Sequence, residues 1–113
     1  IKASAVKKPE APDVTIPGTI ADGEFVGWYY FDVPKKAKEV KIQLWWTNGW
    51  DKYPTNDFVL SVYWDMGMNY DGATMNAPET VLLDEPTFIY IGIDGYTVYT
   101  GTEDFEVRIY FSK

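Results

Sequence analysis

From residue 25 to residue 111 the side chains of this chain alternate in character with a period of two, in short runs broken by turn residues. The run at 39–46 is the clearest, with Val40, Ile42, Leu44 and Trp46 on one face and Lys41, Gln43 and Trp45 on the other. A period of two belongs to a strand that buries one face. Residues 25–33 alternate Phe25, Tyr29, Phe31 and Val33 against Trp28, Tyr30 and Asp32. Residues 58–65 set Phe58, Leu60, Val62 and Trp64 against Val59, Ser61 and Tyr63. A short run at 80–83 follows, then 87–93 with Ile89, Ile91 and Ile93 in phase, closed by Asp94-Gly95. The last run, 104–111, turns Phe105, Val107, Ile109 and Phe111 inward. Residues 14–20 form a further short strand whose Pro17-Gly18 suits an edge or a bulge. No long 3.6-period segment competes. The pattern predicts an all-β fold, an antiparallel β-sandwich or jelly roll of about seven to eight strands.

The totals narrow the function classes. A chain of 113 residues makes one domain with a single core. Residues 1–13 read as a linker or N-terminal arm and 14–113 as the domain, while the glycine- and amide-rich stretch 66–78 reads as a loop. Aromatic residues make up 18% of the chain, which suits pleated surfaces. A net charge of −7 repels phosphate backbones, so nucleic acid and anionic membrane surfaces are not expected partners. With no cysteine and no histidine, disulfides, the usual zinc sites and Ser-His or Cys-His nucleophile pairs are excluded. Paired carboxylates could in principle cleave glycosides, yet no signature singles out a pair, and the chain reads as no enzyme. No apolar run approaches a membrane span. The chain opens on Ile and reads as a piece cut from a longer precursor.

Ordered segments carry a family likeness. Gly18-Thr-Ile-Ala-Asp-Gly-Glu24 followed by Trp28-Tyr-Tyr-Phe-Asp-Val-Pro34 resembles the opening of bacterial and archaeal pre-peptidase C-terminal (PPC) domains. Leu44-Trp-Trp-Thr47 and Asn56-Asp-Phe-Val-Leu60 are similar to the segments leading through the next two strands, and Asn76-Ala-Pro-Glu79 to an N-S-P-E element. The likeness runs over about residues 14–111. Val59 stands where relatives place a second acid, and Gly27 where some carry one. The resemblance implies a non-catalytic, secreted, monomeric accessory domain, often calcium-binding, carried C-terminal to a subtilisin-like serine protease. The Trp-rich, acidic, cysteine-free style is similar to hyperthermophilic archaeal enzymes of the pyrolysin kind. Implied partners are the parent's catalytic domain and its substrate, and the implied role is stabilisation of the parent.

One or two Ca2+ ions are the expected cofactor. Calcium takes six to eight oxygens from loop carboxylates, amides and carbonyls. Asp51, Asn56 and Asp57 offer such groups within one connection, and the Asp22/Glu24 turn, helped by Glu10 or Asp13, offers a second set. The bland alternative is that these residues shape turns and cap backbone groups. Separately, Trp28, Tyr30, Trp45, Tyr63, Tyr90 and Tyr110 fall on outer faces. Grouped exposed aromatics mark a binding surface for protein or polysaccharide. A carbohydrate-binding module and a purely structural domain are therefore the competing functions.

Overall fold

A computed structural model describes residues 11–47, 56–71 and 78–112. Within them the chain forms eight strands: β1 (Val14–Ala21), β2 (Phe25–Asp32), β3 (Glu39–Trp46), β4 (Asp57–Trp64), β5 (Gly67–Asp71), β6 (Glu79–Asp84), β7 (Phe88–Thr97) and β8 (Thr102–Phe111). They make two four-stranded antiparallel sheets, ordered β1-β8-β3-β6 and β2-β7-β4-β5. Every connection except the β4–β5 hairpin passes from one sheet to the other, which is the jelly-roll arrangement. The all-β sandwich expected from the alternation is the fold observed.

The core lies between the sheets. Ile42, Leu44 and Ile109 from the first sheet meet Leu60, Ile89 and Ile91 from the second, all fully buried. At one end the Trp46 indole stacks on Phe58, centroids 4.8 Å apart and planes 9° apart. Pro17 sits on the edge strand β1, where its missing N–H leaves no ladder bond unmade.

Three elements depart from the expectation. The phase of β2 slips between Val26 and Tyr29, so Val26 packs on the core while Phe25 turns outward. Gly27 sits at the slip, where a Cβ would lie 3.0 Å from the Ile91 carbonyl oxygen. Part of the stretch expected to be a loop, 66–78, is strand β5, paired to β4 from Trp64↔Gly67 to Leu60↔Asp71. Strand β7 does not close at Asp94-Gly95 but runs on to Thr97. It continues because Gly95 exchanges backbone bonds with the β1–β2 turn, accepting from Gly23 N and donating to the Glu24 carbonyl at 2.8 and 2.9 Å.

Candidate functional site

The outer faces of the two sheets differ sharply. On the β2-β7-β4-β5 sheet the register sets Tyr30 beside Tyr90, Tyr90 beside Tyr63 and Tyr63 beside Met68. This row crosses all four strands. Tyr30 and Tyr90 are 4.9 Å apart between centroids, Tyr63 and Tyr90 6.2 Å, and Phe88 packs edge-on against Tyr90 at 5.8 Å. Beside the row, Phe25 and Trp28 pack edge to face at 5.2 Å. Their rings lie down on Gly92, where a Cβ would come within 2.6 Å of Phe25 and 2.8 Å of Trp28. Trp28, Tyr63, Met68 and Tyr90 line a shallow depression of about 330 Å³. Trp28, Tyr30 and Tyr63 remain 48%, 49% and 46% exposed, although each packs against another ring, Phe25 for Trp28 and Tyr90 for both tyrosines. The Tyr30 hydroxyl donates to the Asp32 carboxylate, and that bond raises the phenol's pKa above its ordinary value.

The other outer face is a polar lattice, and Trp45 belongs to it. Trp45 is on β3, opposite Glu106 of β8, across the sandwich from Trp28, Tyr30 and Tyr63. The Arg108 guanidinium lies over its ring at 4.7 Å, and its Nε1 donates to Gln43 at 3.2 Å. Arg108 is paired in turn with Glu106. Tyr110 also points outward but is buried, its ring covered by the Lys41 ammonium at 4.4 Å. Alternation gives the face of a strand. It does not say which sheet the strand joins or which long side chain will lie across a ring.

Of the expected calcium ligands, Asn56 and Asp57 adjoin at the start of β4, and Asp22 and Glu24 share the β1–β2 turn. Asp51 lies outside the described residues. Asn56 is fully buried, and its amide joins distant segments: Nδ2 donates to Thr100 Oγ1 at 2.9 Å, while its backbone carbonyl accepts from Trp46 Nε1 at 3.1 Å. That is structural work. Asp22 accepts from Val98 N at 2.8 Å and Glu24 from Ala21 N at 2.9 Å, tying down the β1–β2 turn and the end of β7. Asp13 cannot help them, since it accepts from Phe111 N at the opposite end of β1, roughly 30 Å along an extended chain. Asp57 differs, for its Oδ1 is buried with no hydrogen-bond partner, and burial raises its pKa.

Glu79 is the group that site reasoning on the sequence passed over. It begins β6 in phase with Val81 and Leu83, so it faces the core, and none of it is exposed. Neither carboxylate oxygen has a hydrogen-bond donor. Burial first, then the facing Asp71 and the charge of Asp57, push its pKa up to about 9. Its place was readable from the alternation, as an acid at an inward position. Among the described residues no group of three or more His, Cys, Asp or Glu side chains forms a ready-made metal centre.

No protein-family model matches the chain, and no curated protein sequence matches it either. Solved structures do. The pre-peptidase C-terminal domain of a collagenase from Bacillus anthracis superposes with a TM-score of 0.60 at 18% identity, over 92% of this chain and 99% of that one. The Yersinia pseudotuberculosis-derived mitogen gives 0.56 at 13% identity, over 90% and 88%. A 4-keto-6-deoxy sugar epimerase from the novobiocin biosynthetic gene cluster of Streptomyces spheroides gives 0.50 at 12% identity, over 98% of this chain and 52% of that one. The architecture is PPC-like. At these identities the likeness is one of fold, and fold alone assigns no chemistry.

What a PPC-like sandwich of this kind can do chemically follows from its two faces. One sheet offers a flat, ring-lined, mostly uncharged surface suited to stacking and apolar contact. The other is covered by its own charged side chains.

Proposed function

We propose that this chain is a non-catalytic, extracellular accessory domain of a larger protease, and that its aromatic sheet face holds extended polypeptide substrate. The observation that carries the reading is the contiguous row Tyr30–Tyr90–Tyr63–Met68 with Trp28 beside it, exposed on one face of a PPC-like sandwich. Four strands about 4.8 Å apart make the row roughly 15 Å wide, wide enough for an extended chain to lay several side chains across it. Uncharged rings with hydroxyl tips suit a substrate that varies in sequence, because they supply apolar area and adaptable hydrogen bonds together. Asp32 and Asp94 mark the ends of the strip on β2 and β7. The family likeness of residues 14–111 supports a subtilisin-like parent, and a PPC domain of a collagenase shares the fold.

The test is retention of the isolated domain on beads carrying unfolded protein, gelatin or reduced casein, beside beads of insoluble polysaccharide. Retention on the protein beads is expected, with Trp28→Ala weakening it by about thirtyfold, the effect of losing a central ring worth roughly 2 kcal/mol. Retention on polysaccharide alone would make the domain a carbohydrate-binding module instead.

A further inference from the structure

The two sheets treat their outward rings differently. On the β1-β8-β3-β6 sheet Lys41 lies over Tyr110 and Arg108 over Trp45, so both rings carry a cation from the chain itself. On the β2-β7-β4-β5 sheet, among the described residues, no lysine or arginine lies over a ring. Its four strands contain neither residue type. The remaining described cations, Lys35, Lys36 and Lys38, belong to the β2–β3 connection.

Carboxylates, by contrast, stand at both ends of the ring-lined strip. Asp94 of β7 is in register with Phe25 on β2 and Val59 on β4. It is half-buried, and among the described residues its carboxylate holds no hydrogen bond or ion pair. At the other end Asp32 pairs with Phe88 and is exposed, accepting from the Tyr30 hydroxyl. Along β7, Phe88 and Asp94 are separated by about 20 Å of extended chain. A ring face draws a cation through its quadrupole, and a carboxylate beside it pairs with the same charge.

We propose that this face selects, among unfolded polypeptides, segments that carry lysine or arginine. The inference rests on the reading that the face holds extended polypeptide, and adds which sequences it holds best. One cationic head lies on the Phe25–Trp28 pair against Asp94, and a second over Tyr30 against Asp32. The aliphatic stems of lysine and arginine lie along the rings between. The rings accept any unfolded segment; the uncovered ring faces and the two carboxylates supply the preference. A net charge of −7 adds long-range attraction for a basic segment and repels an acidic one. The fold already uses this arrangement within itself, for Arg108 lies over Trp45 while paired with Glu106.

The experiment measures, by fluorescence anisotropy, the binding of three labelled unstructured peptides to the isolated domain. They differ only at a few positions, filled by lysine, glutamine or glutamate, and are compared in about 20 mM and about 500 mM salt, well below and well above physiological screening. At low salt the lysine peptide is expected to bind about tenfold tighter than the glutamine peptide, from two exposed cation–π contacts of about threefold each. The glutamate peptide should bind weakest. High salt should shrink the preference and leave the glutamine peptide nearly unchanged. Asp94→Asn or Asp32→Asn should each cut the preference about threefold without altering glutamine-peptide affinity. Asp84→Asn removes the same charge from β6 in the opposite sheet and should leave the preference intact. Equal binding of the lysine and glutamine peptides would overturn the selectivity while leaving the polypeptide-holding face in place. So would a preference that survives both Asp94→Asn and Asp32→Asn, or one that Asp84→Asn reduces as much. Binding of none of the three peptides would sink the reading of the face, and the selectivity with it.

Discussion

Asp65 shows how much one side chain can do at a strand end. It follows β4, and its two carboxylate oxygens accept from Thr87 N and Thr87 Oγ1 at 2.8 and 2.5 Å, holding the start of β7. The hydroxyl bond first, then the backbone bond, depress its pKa below the ordinary 3.8. A group depressed in the folded state adds stability that is whole above its unfolded pKa and is lost as the pH falls through the folded one. Asp65→Asn should therefore lower the melting temperature at neutral pH and flatten its fall below about pH 4. A variant whose acid limb parallels the parent's would contradict the assignment. Single-residue roles were the least legible layer of the sequence. Asn56 looked like a ligand because amides ligate calcium, yet its side chain bonds Thr100 in the β7–β8 turn, and its carbonyl accepts from Trp46 at the end of β3. Nothing local announces such a bond.

At the scale of elements, alternation carried most of the fold, and it failed where the backbone breaks step. Strand β2 slips phase at Gly27, which reversed the expected direction of Phe25. Strand β5 was hidden because Gly67-Met-Asn-Tyr-Asp71 has turn-like composition and only its neighbour β4 makes it a strand. With β5 missed, Met68 and Tyr70 could not be added to the aromatic face. Gly92 is the bare patch on β7 that lets Phe25 and Trp28 lie flat. A Cβ there meets the far ends of two surface rings, which can swing away, so Gly92→Ala should change stability by less than about 1 kcal/mol. It should nevertheless shift tryptophan emission to longer wavelength and weaken binding to unfolded protein, as Trp28→Ala does. Unchanged emission and binding would mean that the rings do not need that floor.

The whole molecule is an asymmetric sandwich. Its two sheets share one core, but one outer face carries the Arg108–Glu106 ion pair and two cation–π contacts while the other leaves its rings open. Sequence periodicity revealed that aromatics point outward; only the strand order, β1-β8-β3-β6 against β2-β7-β4-β5, separates Trp45 from Trp28, Tyr30 and Tyr63. The most direct test of the binding face is a residue-resolved NMR titration of the isotope-labelled domain with an unfolded, neutral polypeptide. Shifts concentrated at Trp28, Tyr30, Tyr63, Met68 and Tyr90, with Trp45 and Arg108 unmoved, are the result predicted. Shifts confined to the β1-β8-β3-β6 face, or no shifts at saturating peptide, would contradict it.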